Sequence, residues 1–248
     1  MFYYFAILND IKMTVFDQYA ENYDEGHVKA VAISGLTPDY FHEYKLKEMV
    51  NFLKKEGLHK KKLKLLDFGC GIGRSAKYIR KYLPKISIYG TDVSKEEIKA
   101  AKKNNKNLKN VTFAPFNGLN IPFKEKFDII FVANVFHHIK RSDQGKVMKN
   151  ISGKLAEDGY LFIFEHNPLN PMTQWIYYRN DFKFDKNAKL LSPFYTNNLL
   201  EQAGFMRNKV RYTIFIPRFF SPLLPLEKYL YKIPFGAHYY YISKKNKD

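Results

Sequence analysis

The chain has 248 residues, of which 46% are hydrophobic and 17% aromatic, enough to bury the core of one large α/β domain or of one domain with a cap. Its single cysteine, Cys70, excludes an internal disulfide framework and fits a reducing compartment. The formal net charge of +17 is typical of proteins that contact nucleic acid, an anionic membrane surface or an acidic substrate. A lysine-rich surface that only reflects the composition of the source genome explains this charge equally well.

The first eight residues are apolar and aromatic, but no basic segment precedes them and Asn9 and Asp10 follow. Such a run is too short to cross a bilayer and makes a poor signal peptide, and Met13 is an alternative start. No later stretch of the sequence is long enough to span a membrane. We therefore expect a cytoplasmic protein that at most makes peripheral contact with a membrane.

Helical periodicity dominates residues 14–57. Near the start of this segment, one helix face would carry Phe16, Tyr19, Ala20 and Tyr23, and a second helix is predicted over residues 40–53. Gly57 is the expected end of the helical segment.

Strands and helices alternate after residue 57. Strands are predicted at 64–67, 86–92, 111–113, 127–133 and 159–165, and helices at 75–83, 95–103 and 144–156. Ser94 is the expected N-cap of the second of these helices, with Glu97 completing a capping box. This alternation predicts an α/β fold with a doubly wound, mostly parallel sheet.

The pattern changes beyond Glu165. Residues 167–195 are rich in proline, asparagine and aromatic residues and show no clear period. A helix is predicted over 196–203 and strands over 210–216 and 237–243, which would complete a seven-stranded sheet with an antiparallel edge strand.

A glycine-rich turn follows the first predicted strand. Glycines stand at 69, 71 and 73, and an acid, Asp67, precedes them at the end of an apolar run. Such a strand-to-helix turn is the usual cofactor cradle of a parallel α/β sheet. The spacing is G-x-G-x-G, not the G-x-G-x-x-G of dinucleotide binders, and Asp67 would repel a pyrophosphate but attract an ammonium or a sulfonium. These residues favour S-adenosylmethionine (SAM) over NAD.

With these motifs, residues 63–166 resemble the class I SAM-dependent methyltransferases of type 11 or 12. The resemblance implies a Rossmann-like fold in which the glycine turn wraps the methionine part of SAM, with Asp67, Gly69, Gly71 and Gly73. Asp92 matches the acid that binds the ribose hydroxyls, and it follows the glycines by about 20 residues, the spacing of ribose acids in nucleotide folds. The alternative role for Asp92 is a strand-terminal cap.

The resemblance assigns further cofactor contacts. Val93 would pack on the adenine and Gly118 would offer it an N–H, while Asn117 replaces the aspartate that usually accepts the adenine amino group and would accept more weakly. Ala133 and Asn134 would lie near the transferring methyl. In the N-terminal segment, Tyr23 would fold over SAM as part of an entry segment or lid, although ordinary core packing explains the same spacing.

Two polar clusters are candidates for catalysis. His137 and His138 follow the fourth strand, and His138 is the stronger candidate for a base that faces the acceptor, with a structural role for both as the alternative. Glu165 and His166 end the fifth strand, where ligands of such sheets bind, and a carboxylate beside an imidazole raises its basicity. Alternatively, Glu165 pairs with a lysine or caps the loop. No metal ligands are assigned.

The division into domains places an N-terminal entry or lid segment at 1–57 and a SAM-binding domain at 58–248. Residues 167–195 and 217–236 are expected to be acceptor-facing insertions, since the second mixes apolar, aromatic and basic residues that suit a lipid-linked or phosphorylated acceptor or an anionic membrane. A flap that covers the sheet edge is an equally good interpretation of this stretch.

Several acceptor classes are disfavoured. The turn at 133–136 lacks the Asn/Asp-Pro-Pro-Tyr/Phe motif of base amino-methylation, and Cys70 lies in the cofactor turn, where it cannot be the nucleophile of pyrimidine C5 methylation. We expect methyl transfer to oxygen or nitrogen of a small-molecule or lipid- or glycan-linked acceptor, releasing S-adenosylhomocysteine (SAH). The alternatives are a non-catalytic SAM-binding scaffold and an NAD(P)-dependent oxidoreductase.

Overall fold

The computed structural model describes residues 38–118, 120–179, 189–216 and 218–245. Tyr23, the rest of the predicted face before residue 38 and the stretch 180–188 therefore lie outside the described residues.

Helices and strands alternate along the described chain. The strands are β1 (Lys64–Phe68), β2 (Ser87–Asp92), β3 (Val111–Pro115), β4 (Phe127–Ala133), β5 (Leu155–His166), β6 (Phe205–Thr213) and β7 (His238–Lys245). The α-helices are α1 (Pro38–Lys55), α2 (Arg74–Tyr82), α3 (Lys95–Asn104), α4 (Arg141–Lys154), α5 (Pro171–Arg179), α6 (Pro193–Gln202) and α7 (Glu227–Leu230). Short 3₁₀ segments occupy Phe136–His138 and Arg218–Leu226.

These strands form a seven-stranded sheet in the order β3-β2-β1-β4-β5-β7-β6. β1 to β5 run parallel to one another, and β7 pairs antiparallel with both β5 and β6. The predicted fold class, a doubly wound and mostly parallel sheet, is confirmed. The antiparallel strand is the second from the edge, because β7 inserts between β5 and β6.

Side chains alternate between two cores, one on each face of the sheet, as the period of two in a strand requires. Along β5, Leu161 and Ile163 face one core, whereas Phe162 and Phe164 face the other. The second core also receives the apolar stripe of α1, so that the described part of the predicted N-terminal segment packs on the sheet.

The strand β6 and the helix α5 differ from the sequence prediction. β6 runs over Phe205–Thr213 and ends where Ile214 takes a positive φ of 62°, which interrupts extended backbone. The helix α5 lies in a segment that shows no period, but Asn170 Oδ1 accepts the Thr173 N–H at 2.8 Å and Pro171 starts the helix. Asparagine followed by proline is a start signal that could have been used.

Candidate active site

The glycine turn after β1 is tied to the end of β2. Gly69 N–H donates to Thr91 O at 2.8 Å. Gly69, Gly71 and Gly73 have φ angles of +74°, +51° and +76°, which glycine adopts without strain. A Cβ on Gly69 would lie 2.3 Å from Val135 Cγ2, so that this position has no room for a side chain. The turn is a backbone cradle at the carboxyl end of the central strand.

Asp92, the last residue of β2, faces this turn. Its Oδ2 accepts the Gly71 N–H at 3.0 Å and its Oδ1 accepts the Ser94 N–H at 3.1 Å. Burial raises the pKa of Asp92, while these bonds and one with the Glu97 side chain oppose the rise. Ser94 itself caps α3, with Oγ accepting the Glu97 N–H at 3.1 Å, as predicted. Asp92 is therefore not the N-cap.

Asp67 lies beneath the same turn and is buried. The pKa of Asp67 is raised to about 7, mainly by burial; a hydrogen bond with Ser75 opposes this rise and the nearby Asp92 adds to it. Burial and the neighbouring carboxylates also raise the pKa of the Cys70 thiol, which stays neutral and packs inside the turn. Together with Glu97, these acids give the turn a negative potential that favours a cationic ligand.

The segment after β3 lies beside Asp92. Phe116 N–H donates to Asp92 O, which holds the ends of the two strands together. Asn117 Oδ1 accepts the Asn120 N–H at 2.8 Å, and Gly118 follows with a φ of +79°. Val93 lies partly buried against the core on the same side.

The turn after β4 adjoins the glycine turn. β4 ends at Ala133, and Asn134 follows with a φ of +58°. Asn134 Oδ1 is buried and has no hydrogen-bond partner within the part of the chain that the structure describes. A buried polar atom in this state marks a place where a ligand would supply the donor. Val135, the next residue, lies against Gly69, and so the histidines that follow are brought close to the cradle.

A buried imidazole–carboxylate pair lies at this turn. His137 Nδ1 is 2.6 Å from Glu165 Oε2, and the other carboxylate oxygen accepts the Phe136 N–H at 2.8 Å. The side chains are 2% and 0% exposed, respectively. Glu165 therefore fixes the backbone and the imidazole of the histidine turn at once, and no surface of it is open to a ligand.

Three more histidines surround this pair. The rings of His137 and His138 are 4.1 Å apart, and His166 lies 5.4 Å from His137. His238, opposite His166 in the β5–β7 register, lies 4.6 Å from it. His138 and His166 are half-buried, whereas His137 and His238 are buried. Thus His138 and His166 are the members of the cluster whose rings reach solvent.

The sequence prediction did not identify two members of the site. Lys45 of α1 is 3% exposed, and burial lowers its pKa to about 8 although Glu165 opposes the shift. Burial, Lys45 and His137 lower the pKa of His238 well below its usual value. A lysine inside the apolar stripe of a helix is a signal that could have pointed to Lys45. His238 could be found only from the pairing of β5 with β7.

Comparisons with known proteins agree with this geometry. Residues 66–163 match a family model described as a methyltransferase domain. Over these residues the chain matches a methyltransferase domain, in agreement with the resemblance to the class I SAM-dependent methyltransferases. The chain is 25% identical over 195 residues to an uncharacterised protein of Rickettsia prowazekii, and the match covers 73% of this chain and 78% of that protein. It is also 32% identical over 108 residues to the demethylmenaquinone methyltransferase of Thermotoga maritima, covering 43% and 45% of the two chains.

Solved structures have the same fold. A SAM-dependent methyltransferase from Thermotoga maritima superposes with a TM-score of 0.65 at 20% identity. The superposition covers 95% of this chain and 100% of the other. The magnesium protoporphyrin IX methyltransferase of Synechocystis, solved with bound SAH, superposes with a TM-score of 0.59 at 13% identity, covering 88% and 86%.

The solved structures similar to this chain include SAM-dependent methyltransferases, and the residues at the cradle fit SAM as the cofactor. A Cβ-free turn, buried carboxylates and the unpaired Asn134 oxygen suit a cationic nucleoside with donor hydroxyl and amino groups. Within the described ranges, no group of three or more His, Cys, Asp or Glu side chains is placed to hold a metal ion. Over the same residues, no helix is long and apolar enough to cross a bilayer.

Proposed function

We propose that this protein is a methyltransferase. It would transfer the methyl group of SAM to an oxygen or nitrogen of a small-molecule or lipid- or glycan-linked acceptor. The observation that carries the proposal is the histidine turn fixed by Glu165, held beside the glycine cradle through the contact between Val135 and Gly69. A sulfonium needs no protein group to activate it, whereas a hydroxyl or ammonium acceptor must lose a proton, and an imidazole is suited to take it.

The cofactor contacts follow from the placement of the predicted residues. Asp92 would accept the ribose hydroxyls, and the glycine turn with Asp67 would hold the methionine part. Val93, Asn117 and Gly118 would surround the adenine, and Ala133 and Asn134 would lie near the reacting methyl. These roles are supported by the meeting of all four segments at the carboxyl ends of the parallel strands, where ligands of such sheets bind.

When bound, SAM supplies a methyl carbon that the acceptor attacks in line, while the C–S bond breaks toward sulfur and SAH leaves. The chain's own residues would orient the acceptor and remove its proton. His138 and His166 are the candidates for the group that takes this proton, because their rings reach solvent. Glu165 is a positioning residue, since it is fully buried and acts through His137.

The acceptor class is supported by what surrounds the site. The loop after β5 and the stretch between β6 and β7 meet at Asn167, whose Nδ2 donates to Pro234 O and Gly236 O at 2.9 and 2.8 Å. This stretch exposes apolar and basic side chains, and its end at Pro234 and Gly236 is hydrogen-bonded to the residue that follows His166. Such a surface suits an acceptor that carries a lipid or a phosphate. The curated relatives named as methyltransferases include one that acts on malonyl-[acyl-carrier protein] in Bacillus cereus, an acceptor on a carrier.

A transfer assay tests the proposal. The protein is incubated with methyl-labelled SAM and with lipid, glycan and metabolite fractions of a cell extract, and labelled products are identified by mass spectrometry. We expect label in one fraction, bound to oxygen or nitrogen, and its loss in His138→Asn or His166→Asn. SAM binding without label in any fraction would identify a SAM-binding scaffold, and binding of NAD(H) without SAM would identify an oxidoreductase; either result overturns the proposal.

A further inference from the structure

The segment between β6 and β7 exposes large apolar side chains. In residues 218–236, here called the cap segment, the exposed large hydrophobic residues are Phe220, Leu223, Leu226, Tyr229, Ile233 and Phe235, with exposed fractions from 42% at Ile233 to 69% at Tyr229. Single exposed apolar residues are ordinary, but a dense group on one segment marks an interaction site.

The cap segment is ordered by local structure. Arg218–Leu226 forms 3₁₀ turns that contain Pro222 and Pro225, whose rings restrict the backbone. Tyr212 N–H of β6 donates to Tyr231 O at 2.8 Å, which fixes the second half of the segment to the sheet. The apolar side chains are therefore displayed by a fixed backbone.

The exposed charged residues described in the cap segment are lysines. Glu227 is its only acidic residue, and its Oε1 accepts the N–H groups of Phe215 and Ile216 at 2.8 and 2.9 Å. This carboxylate is thus directed at the protein's own backbone. Lys228 and Lys232 are exposed. An apolar surface bordered by lysines complements a layer of apolar chains beneath anionic headgroups.

The cap segment also adjoins the candidate active site. Asn170 Nδ2 donates to Phe235 O at 2.6 Å, and Asn167 N–H donates to Ala237 O at 2.9 Å. Asn167 directly follows His166, and Asn170 caps α5, which exposes Met172 and Trp175. Apolar side chains of α5 and of the cap segment therefore lie on both sides of the loop that leads from the histidine cluster.

We propose that the cap segment docks on an anionic lipid surface and places the histidine cluster at that surface. Aromatic residues mixed with lysines are typical of protein segments that bind at the membrane interface. A nucleic acid would be contacted mainly through basic and polar groups, whereas most of the exposed residues here are apolar. The docking goes beyond methyl transfer and requires no turnover.

Vesicle sedimentation tests the docking with the full chain. Vesicles of phosphatidylcholine, with or without phosphatidylglycerol in equal parts, are spun down with the protein at low and high salt. We expect sedimentation with the anionic vesicles and much less with the neutral ones. We also expect roughly tenfold weaker binding in Leu223→Ser with Leu226→Ser, and in Lys228→Glu with Lys232→Glu, because apolar burial and lysine attraction both contribute.

Matched control variants lie elsewhere. Phe194→Ser changes a residue of α6 that is 76% exposed, and Lys102→Glu with Lys103→Glu reverses two exposed charges of α3, near the opposite edge of the sheet. These variants are expected to sediment like the unchanged protein, and all variants to keep its melting temperature. The proposal is overturned if the unchanged protein stays in solution with anionic vesicles, or if the controls lose as much binding as the cap variants. A dimer in analytical ultracentrifugation that only the cap variants dissociate would assign the surface to a second copy and also overturn it.

Discussion

His137 Nδ1 lies 2.6 Å from Glu165 Oε2, although the two residues are separated by 28 positions and belong to different elements. The same carboxylate accepts the Phe136 N–H, so that one side chain fixes both the backbone and the ring of the histidine turn. The pair is covered by the sheet end and by α1, where Lys45 also contributes to its electrostatics.

Glu165→Gln removes the charge of this carboxyl group and keeps its shape. We expect the free energy of unfolding to fall by roughly 1–3 kcal/mol, because a buried hydrogen bond to a charged group is weakened. We also expect kcat to fall more than SAM affinity, since Glu165 acts on the histidine turn and not on the cradle. Urea unfolding, isothermal titration and the labelled-methyl assay measure these three quantities. Glu157→Gln on the exposed part of β5 is the control, and an equal loss there would contradict the positioning role.

We expect Asp67 to make SAM binding dependent on pH. Burial raises the pKa of Asp67 to about 7, and the carboxylate attracts the sulfonium only when it is ionised. SAM affinity should therefore rise between about pH 6 and about pH 8, with uptake of SAM releasing a proton. Isothermal titration in buffers of different ionisation enthalpy measures both effects. In Asp67→Asn the pH dependence of SAM binding should be weaker, and an unchanged profile would show that another group controls it.

The same carboxyl group affects the stability of the protein without ligand. Its folded pKa lies above the ordinary value of 3.8, so its contribution to stability is fully present below that value and is lost as the pH rises through about 7. We expect urea midpoints to fall over this range in the unchanged protein and to fall less in Asp67→Asn. A steeper fall in the variant would contradict the assignment.

Comparing Asp92→Ala with Asp67→Asn distinguishes binding of the ribose from attraction of the sulfonium charge. Because the ribose belongs to SAM and SAH alike, we expect affinity for both to fall roughly tenfold to a hundredfold, the effect of losing hydrogen bonds to a charged acceptor. Asp67→Asn should weaken SAM more than SAH, since SAH lacks the sulfonium charge. Titration with both ligands gives the comparison, with the exposed Glu96→Ala of α3 as control. Equal affinities in Asp92→Ala and the unchanged protein would remove Asp92 from the cofactor site.

The sequence was sufficient to predict those features of the fold and site that depend on residues close together in the chain. The glycine turn, Asp92 at the end of β2 and the Ser94 cap all follow from patterns within a few residues of each other, and the structure contains each of them. The parallel sheet follows from alternation of short strands and helices. These features are local, so that the spacing of residues along the chain determines them.

The histidine cluster could not be predicted in the same way. Its members come from the turn after β4, the end of β5 and the start of β7, and Lys45 comes from α1. Their contacts depend on strand order and on the antiparallel register that sets His166 opposite His238. The sequence shows two adjacent histidines but not which of them meets a carboxylate 28 residues away.

Two glycine-to-alanine changes should have opposite effects on stability. Gly69 has a φ of +74°, and a Cβ there would lie 2.3 Å from Val135 Cγ2, so Gly69→Ala should lower the melting temperature and push the histidine turn away from the cradle. Gly145 lies inside α4 and a Cβ there would meet nothing within 4 Å, so Gly145→Ala should stabilise the protein by about 0.5–1 kcal/mol.

Thermal and urea unfolding compare the stability of these two variants with that of the unchanged protein. Titration with SAM measures whether the cradle still binds the cofactor. Gly69→Ala should bind SAM more weakly, because the added methyl group displaces Val135 and the backbone that lines the cradle. Gly145→Ala should bind SAM normally, since α4 contributes none of the residues proposed for the cofactor site. Normal SAM affinity in Gly69→Ala would mean that the cofactor does not lie against this turn, and it would overturn the placement of the cradle itself.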